Sequence, residues 1–205
     1  MIKTFSENLK DQALHIHRNY WATGLKGEDY HILETEGSNS FRDFEITIGT
    51  GLQQINFNVE CKTDHNSAKT GNLCLEILAN IKNFPRPASR IIPADNVNMR
   101  NYIYQQIKNK SNLSLLTAPL PERNLPTYLS YLFFREGHED VPIVFDLKTL
   151  RAWWKRHVFG ISGKLLITHD NSGLCSVSQL IPLEEIKNQI QTPADLVWDL
   201  KINNL

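Results

Sequence analysis

Apolar and polar residues alternate in two successive runs of the chain's first half. In Phe41–Ile48, the residues Phe44, Ile46 and Ile48 share one parity, and Asp43, Glu45 and Thr47 share the other. In Ile55–Lys62, the residues Ile55, Phe57, Val59 and Cys61 alternate with Asn56, Asn58, Glu60 and Lys62. Period two is the signature of a strand with one face in the core and one face polar. Gly49-Thr50-Gly51 supplies a turn between the runs, so the pattern predicts a hairpin. Glu60 and Lys62 are two apart and leave one face of the sheet a single pleat from each other. Pairing the strands brings Asp43 to that same face.

Other stretches read by the same rules. Phe5, Leu9, Ala13, Ile16 and Tyr20 form a helical stripe over Ser6–Tyr20, with Gly24 marking the end. Glu7 and Asp11 lie one turn apart on its polar side. His15 and His17 diverge by about 200° around such a helix, so they form no chelating pair, and both are expected at the surface or an interface. Strands are predicted over Tyr30–Glu36, Leu73–Leu78, Leu113–Leu116, Thr127–Arg135, Val141–Phe145 and Lys164–Thr168. Helices are predicted over Asn101–Lys108, over Leu147–Val158 with Asp146 as its cap, from Ile181 onward, and in a short last piece from Thr192. Thr63–Gly71 reads as a polar loop in which Asp64 continues the parity of Glu60 and Lys62. Glu76 is a lone acid in an apolar run, and a buried acid is costly unless it is paired or metal-bound.

The hairpin carries candidate chemistry. Two carboxylates can hold one hard divalent cation such as Mg2+, which takes oxygen ligands and keeps several waters. A lysine beside them can orient a water and offset charge on a phosphoryl group in its transition state. A surface hairpin with an ordinary Glu–Lys neighbourhood shows the same three residues.

The residues that follow extend the pattern. Asp43, Glu60-Cys61-Lys62, Asp64 and Lys69-Thr70-Gly71-Asn72-Leu73 leading to Glu76 resemble the PD-(D/E)XK nuclease superfamily. The likeness lies closest to a subset from phages and their bacterial hosts. It spans about residues 28–78, and Arg42 stands where the motif's proline would precede Asp43. The resemblance implies an α/β (α+β) fold, with a restriction endonuclease-like core and a central mixed β-sheet flanked by helices. It implies one nuclease domain over 1–205, with a core of about 1–118 and a C-terminal elaboration of about 119–205. It further implies Mg2+-dependent hydrolysis of DNA phosphodiester bonds, with Mn2+ as a substitute. Asp43, Glu60 and Lys62 would be the catalytic set, with Asp43 and Glu60 on the metal. Glu76, Asp64, Glu45 and Glu7 are additional acids to consider, because some members send an acid from the first helix to the metal.

Composition narrows the partners. Twenty-two basic and twenty-two acidic residues in 205 give a formal charge of zero. A nucleic-acid surface must therefore be local. The expected contacts are Lys69 and Asn72, Arg86 and Arg90 in a proline-broken basic segment, and Arg151, Lys155 and Arg156 on the helix after Asp146. Trp153 and Trp154 on that helix either stack on bases or line the core with Leu150 and Val158. Cys61, Cys74 and Cys175 lack metal-ligand spacing and suit a reducing compartment. No apolar run reaches the roughly 20 residues of a membrane span. A cytoplasmic protein, in a bacterial cell or a phage-infected host, is the expectation, with DNA as partner, no membrane, and room for a homodimer. The sequence contains no repeat, zinc-ligand cluster, phosphate-binding glycine loop or serine or cysteine nucleophile motif. A non-cleaving DNA-binding or assembly module on a nuclease-like fold, an RNase and a structure-selective resolvase stay open as alternatives.

Overall fold

The computed structural model describes residues 5–35, 43–51, 54–64, 70–85, 87, 89–93, 95–109, 113–118, 127–134, 140–157, 164–170 and 172–203, apart from the side chains of 5–8, 197 and 201–203. The fold mixes helices with strands, and its central sheet combines antiparallel and parallel pairs. By contacts the chain divides into two compact units: residues 1–69, 123–149 and 189–205, and residues 70–122 and 150–188. Strands from the C-terminal half complete the first unit's sheet.

The first unit opens with helix α1 (Phe5–Gly24), followed by strands β1 (Tyr30–Glu34), β2 (Phe44–Ile48) and β3 (Ile55–Asp64). The predicted hairpin forms: β2 and β3 are antiparallel, with Phe44 opposite Val59 and Ile48 opposite Ile55. Gly49 and Gly51 in the turn have φ of 80° and 62°, where a side chain would be strained. β3 runs on through Lys62 to Asp64, so Thr63 and Asp64, expected in a loop, lie on a strand, while 65–69 of that expected loop lie outside the described residues. Its other neighbour is β6 (Tyr128–Phe133), which is parallel to it and places Glu60 beside Leu129 and Lys62 beside Tyr131. β7 (Ile143–Asp146) and β10 (Ile190–Gln191) complete the six-stranded order β1-β2-β3-β6-β7-β10 among the described residues.

One face of this sheet packs against α1. Trp21, Leu25, Phe44, Ile46, Phe57, Val59, Tyr128 and Val144 share one core cluster, joined by Leu196 of helix α5 (Pro193–Asn203). The buried side of α1 is Ala13, His17 and Trp21, spaced by four residues. Of the expected stripe, Ala13 is buried and Leu9, Ile16 and Tyr20 are half-buried against the core, so the stripe holds but is centred on His17 and Trp21. This corrects His17, which is fully buried and not a surface residue. His15 is exposed, as expected.

The second unit carries β4 (Asn72–Ile81), β5 (Ile91–Ile92), β8 (Leu165–His169) and β9 (Cys175–Pro182), ordered β4-β9-β8-β5. It also carries α2 (Val97–Lys108), most of α3 (Leu147–His157) and the single turn α4 (Leu183–Ile186). Asp146 caps α3 as expected, its Oδ1 accepting from Thr149 N–H at 2.6 Å. Leu113, expected in a strand, forms one isolated bridge to Leu78. β9 was not legible as a strand, because its Ser and Gln residues break the apolar run.

Candidate active site

The hairpin opens at Asp43. The β2–β3 register would pair its backbone with Glu60, yet its N–H donates to the Val59 carbonyl at 2.8 Å. One pairing step is displaced there, as in a bulge. A backbone N–H turned from water needs a partner. Asp43 supplies it: Oδ2 accepts from Cys61 N–H at 2.7 Å. The irregularity therefore docks the Asp43 carboxylate onto the backbone between Glu60 and Lys62.

Glu60 is 6% exposed. Its Oε1 pairs with the Lys62 ammonium at 2.7 Å, while Lys62 itself is half exposed. Burial raises the Glu60 pKa above the ordinary carboxylate value. Lys62 pulls it back, and the charge on Asp43 pushes it up again. The net direction is upward, so Lys62 does not fully offset the loss of solvent. Cys61, beneath them, is a thiol held well above its usual pKa by burial and by the same two carboxylates.

Asp64 lies at the end of β3 on the parity of Glu60 and Lys62, and Tyr131 O–H donates to its Oδ2 at 3.1 Å. Glu45 is half-buried opposite Asn58, two residues further into the sheet than Asp43. Beside Asp43, a cavity of about 470 Å3 is lined by Leu9, Lys10, Ala13, Leu14 and His17 of α1 and by Cys61 and Thr63 of β3. His17 shares hydrogen bonds with Ser130 Oγ (Nδ1, 2.8 Å) and Thr63 Oγ1 (Nε2, 3.4 Å). Desolvation lowers its pKa to about 4, against a hydrogen bond with the Lys62 backbone that raises it. The ring is therefore neutral at physiological pH. Its signal in the sequence was the four-residue spacing from Ala13 and Trp21, which marks the buried stripe.

The donor set can be tested against a cation. Among the described residues no three His, Cys, Asp or Glu side chains group as metal ligands. What is present is a pair of carboxylates, one with its charge incompletely offset. The hydrogen bond at Asp43 and the ion pair at Glu60 each engage one oxygen. Two carboxylates completed by water suit Mg2+, which dehydrates reluctantly, better than a closed structural zinc site.

Other expected site residues stand elsewhere. Glu76 lies on β4 in the second unit and is exposed, which removes the buried-acid argument for it. A register shift between Glu76 and Leu78 buries Ile77 and Leu78 side by side and leaves the acid outside. Asn72 begins β4, its N–H directed at Thr70 Oγ1 at 3.4 Å. Arg151 donates to the carbonyls of Leu115 (3.1 Å) and Ala118 (2.5 Å), so its guanidinium ties a turn together. Trp153 and Trp154 are buried, and Trp154 Nε1 donates to Gln179 Oε1 at 2.8 Å; these rings are core. Arg90, Lys155 and Arg156 are exposed. Arg100, part of the basic segment, is buried on α2. Lys69, Arg86 and the side chain of Glu7 lie outside the described residues.

No family model matches the chain, and no curated protein matches it. No helix among the described residues is long and apolar enough to cross a membrane.

Proposed function

We propose that the protein is a Mg2+-dependent endonuclease that hydrolyses DNA phosphodiester bonds, built on a restriction endonuclease-like core of the PD-(D/E)XK type. The observation that carries this reading is the docking of the Asp43 carboxylate onto the Cys61 N–H, inside the Glu60-x-Lys62 pair. An acid just before β2 is tied to β3 at the residue between Glu60 and Lys62, where the hairpin ladder breaks. The mixed sheet, with α1 on one face and β6 parallel to the catalytic strand, agrees with it.

In this reading Asp43 and Glu60 hold the cation through carboxylate oxygens. Mg2+, when bound, supplies Lewis-acid stabilisation of phosphoryl charge. Lys62 is no ligand, since an ammonium repels a cation. It orients the attacking water and offsets charge on the phosphoryl oxygens. The burial that raises the Glu60 pKa also strengthens each of these electrostatic interactions.

The test is a panel of linear, circular, single-stranded and branched DNA and of RNA, each with Mg2+, Mn2+ or EDTA. Cleavage of DNA with either metal and none with EDTA is expected. Preference for branched DNA or for RNA would reassign the substrate class. Binding without cleavage of anything would convert the reading to a DNA-binding or assembly module.

A further inference from the structure

We infer that His17 is a positioning residue for the catalytic strand, fixing the Cys61–Thr63 segment from the face opposite Lys62. The inference rests on the nuclease reading of Asp43, Glu60 and Lys62. Three observations carry it. His17 is fully buried on α1, yet it hydrogen-bonds Ser130 Oγ of β6 and lies 3.4 Å from Thr63 Oγ1 of β3. Its 2.8 Å partner Ser130 is the residue that the β3–β6 register sets beside Cys61. And it lines the same cavity as Asp43 and Cys61.

The geometry gives the imidazole a specific task. Successive side chains of a strand point to opposite faces. Cys61 and Thr63 therefore face α1, and Lys62 leaves the other way. A ring held between two hydroxyls, on two strands that run parallel, sets both the height and the rotation of the residue between them. The ladder is broken next to this point, at Asp43, so backbone pairing alone holds the segment less firmly. A neutral ring offers one donor and one acceptor, matching two hydroxyls that can each play either part. A lysine aimed at a phosphate must be placed closely, and small displacements at an active site cost on the order of 100-fold.

A purely structural histidine would make the same hydrogen bonds, so the test separates rate from stability. Three variants cut the network at different points: His17→Phe keeps a ring and loses both bonds, Thr63→Val and Ser130→Ala remove one hydroxyl each. His17→Gln restores a donor and an acceptor. Ile46→Val, in the same core but away from the network, is the control for general destabilisation. Single-turnover DNA cleavage with Mg2+ is measured across substrate concentrations, beside thermal melting. His17→Phe should lower the maximal rate about 10- to 100-fold, the usual reach of a supporting shell, with half-saturation unchanged. Thr63→Val should follow in the same direction, His17→Gln should recover most of the rate, and Ile46→Val should cut normally at whatever melting temperature it has. A His17→Phe protein that folds and cuts at the wild-type rate overturns the inference and leaves the nuclease reading intact. So does a rate loss that merely tracks melting temperature across all five. A wild-type protein that cuts nothing overturns both. If His17→Phe does not fold, Thr63→Val and Ser130→Ala decide the matter, and wild-type rates in both overturn it.

Discussion

The two sheets of this protein treat their polar groups in opposite ways. Around the four-stranded sheet, buried polar groups close on one another: Trp154 meets Gln179, the Ser114 hydroxyl meets the Glu76 carbonyl, and Arg151 closes two carbonyls. The acid in its apolar strand is outside. In the six-stranded sheet an acid is inside, and burial has moved its pKa in spite of a lysine at 2.7 Å. Satisfied polar groups describe a scaffold. A buried charge left partly uncompensated beside a second carboxylate is the feature on which the proposed site rests.

The hardest blow to that contrast falls on Lys62. Lys62→Ala should fold and keep its metal-dependent rise in melting temperature, yet lose about 100- to 1000-fold in single-turnover cleavage, or roughly 3 to 4 kcal/mol of barrier. Lys62→Arg should recover little, because a planar fork does not replace a compact ammonium. Asp43→Asn should instead remove the stabilisation that millimolar Mn2+ gives to the wild type. A Lys62→Ala protein that cuts normally would leave the six-stranded sheet as much a scaffold as the other.

Acid should distinguish two buried ionisable groups of the first unit, His17 on α1 and Glu60 on β3. His17 has a folded pKa of about 4 against 6.5 unfolded, so between those values the unfolded chain binds more protons. Stability from this group is intact above pH 6.5 and is lost as pH falls toward 4, by about 3 kcal/mol in all. Glu60 runs the other way: its folded pKa is raised, so its contribution is present at low pH and is lost as pH rises through the folded value. Lys10, Asp43 and Cys61 also face the cavity, and comparing His17→Phe with wild type cancels their share. Chemical denaturation of the two from pH 7 to pH 4 should give a flatter profile for the variant. Parallel profiles would mean that His17 is not held neutral.

The cations of the second unit sharpen the comparison at a smaller scale. Arg151→Met leaves two carbonyls without their charged donor and should lower stability by about 2 to 3 kcal/mol, with no change in the salt dependence of DNA binding. Reversing exposed Arg90, Lys155 or Arg156 should leave melting nearly unchanged. Removing one cation that binds a phosphate should flatten the log–log salt slope by about 0.9. Slopes that stay fixed in all three would move the nucleic-acid surface elsewhere.

What the sequence disclosed follows from how local each signal is. The β2–β3 hairpin and its turn are written in a period-two pattern within a short stretch of chain, whereas the displaced pairing at Asp43 breaks that period and was not legible. The cap at Asp146 was legible, since it needs one side chain and the next turn. The partition into two sheets was not legible, because β3 pairs with β6 far along the chain and no local period records that. His17 was missed for a related reason: its partners Ser130 and Thr63 are distant in sequence, and only its spacing from Ala13 and Trp21 hinted at burial. Arg151 read as a free cation because the carbonyls it closes lie in a distant stretch of the chain.

Glu76 is the case where a sound local rule met a tertiary exception, and it supplies the smallest predicted effect. An acid between Leu75 and Ile77 would be buried if β4 kept a regular pleat with both faces covered. The shift in pairing after Glu76 lets Leu78 follow Ile77 into the interior, and the carboxylate stays in solvent. A solvated side chain without a buried partner contributes little, so Glu76→Gln should alter stability by no more than about 0.5 kcal/mol. The Mn2+-dependent rise in melting temperature should also survive, because the reading places that cation on Asp43 and Glu60. Both quantities come from one melting experiment with and without Mn2+. A variant that melts normally but no longer responds to Mn2+ would return Glu76 to the metal site and erase the distinction drawn between the two sheets.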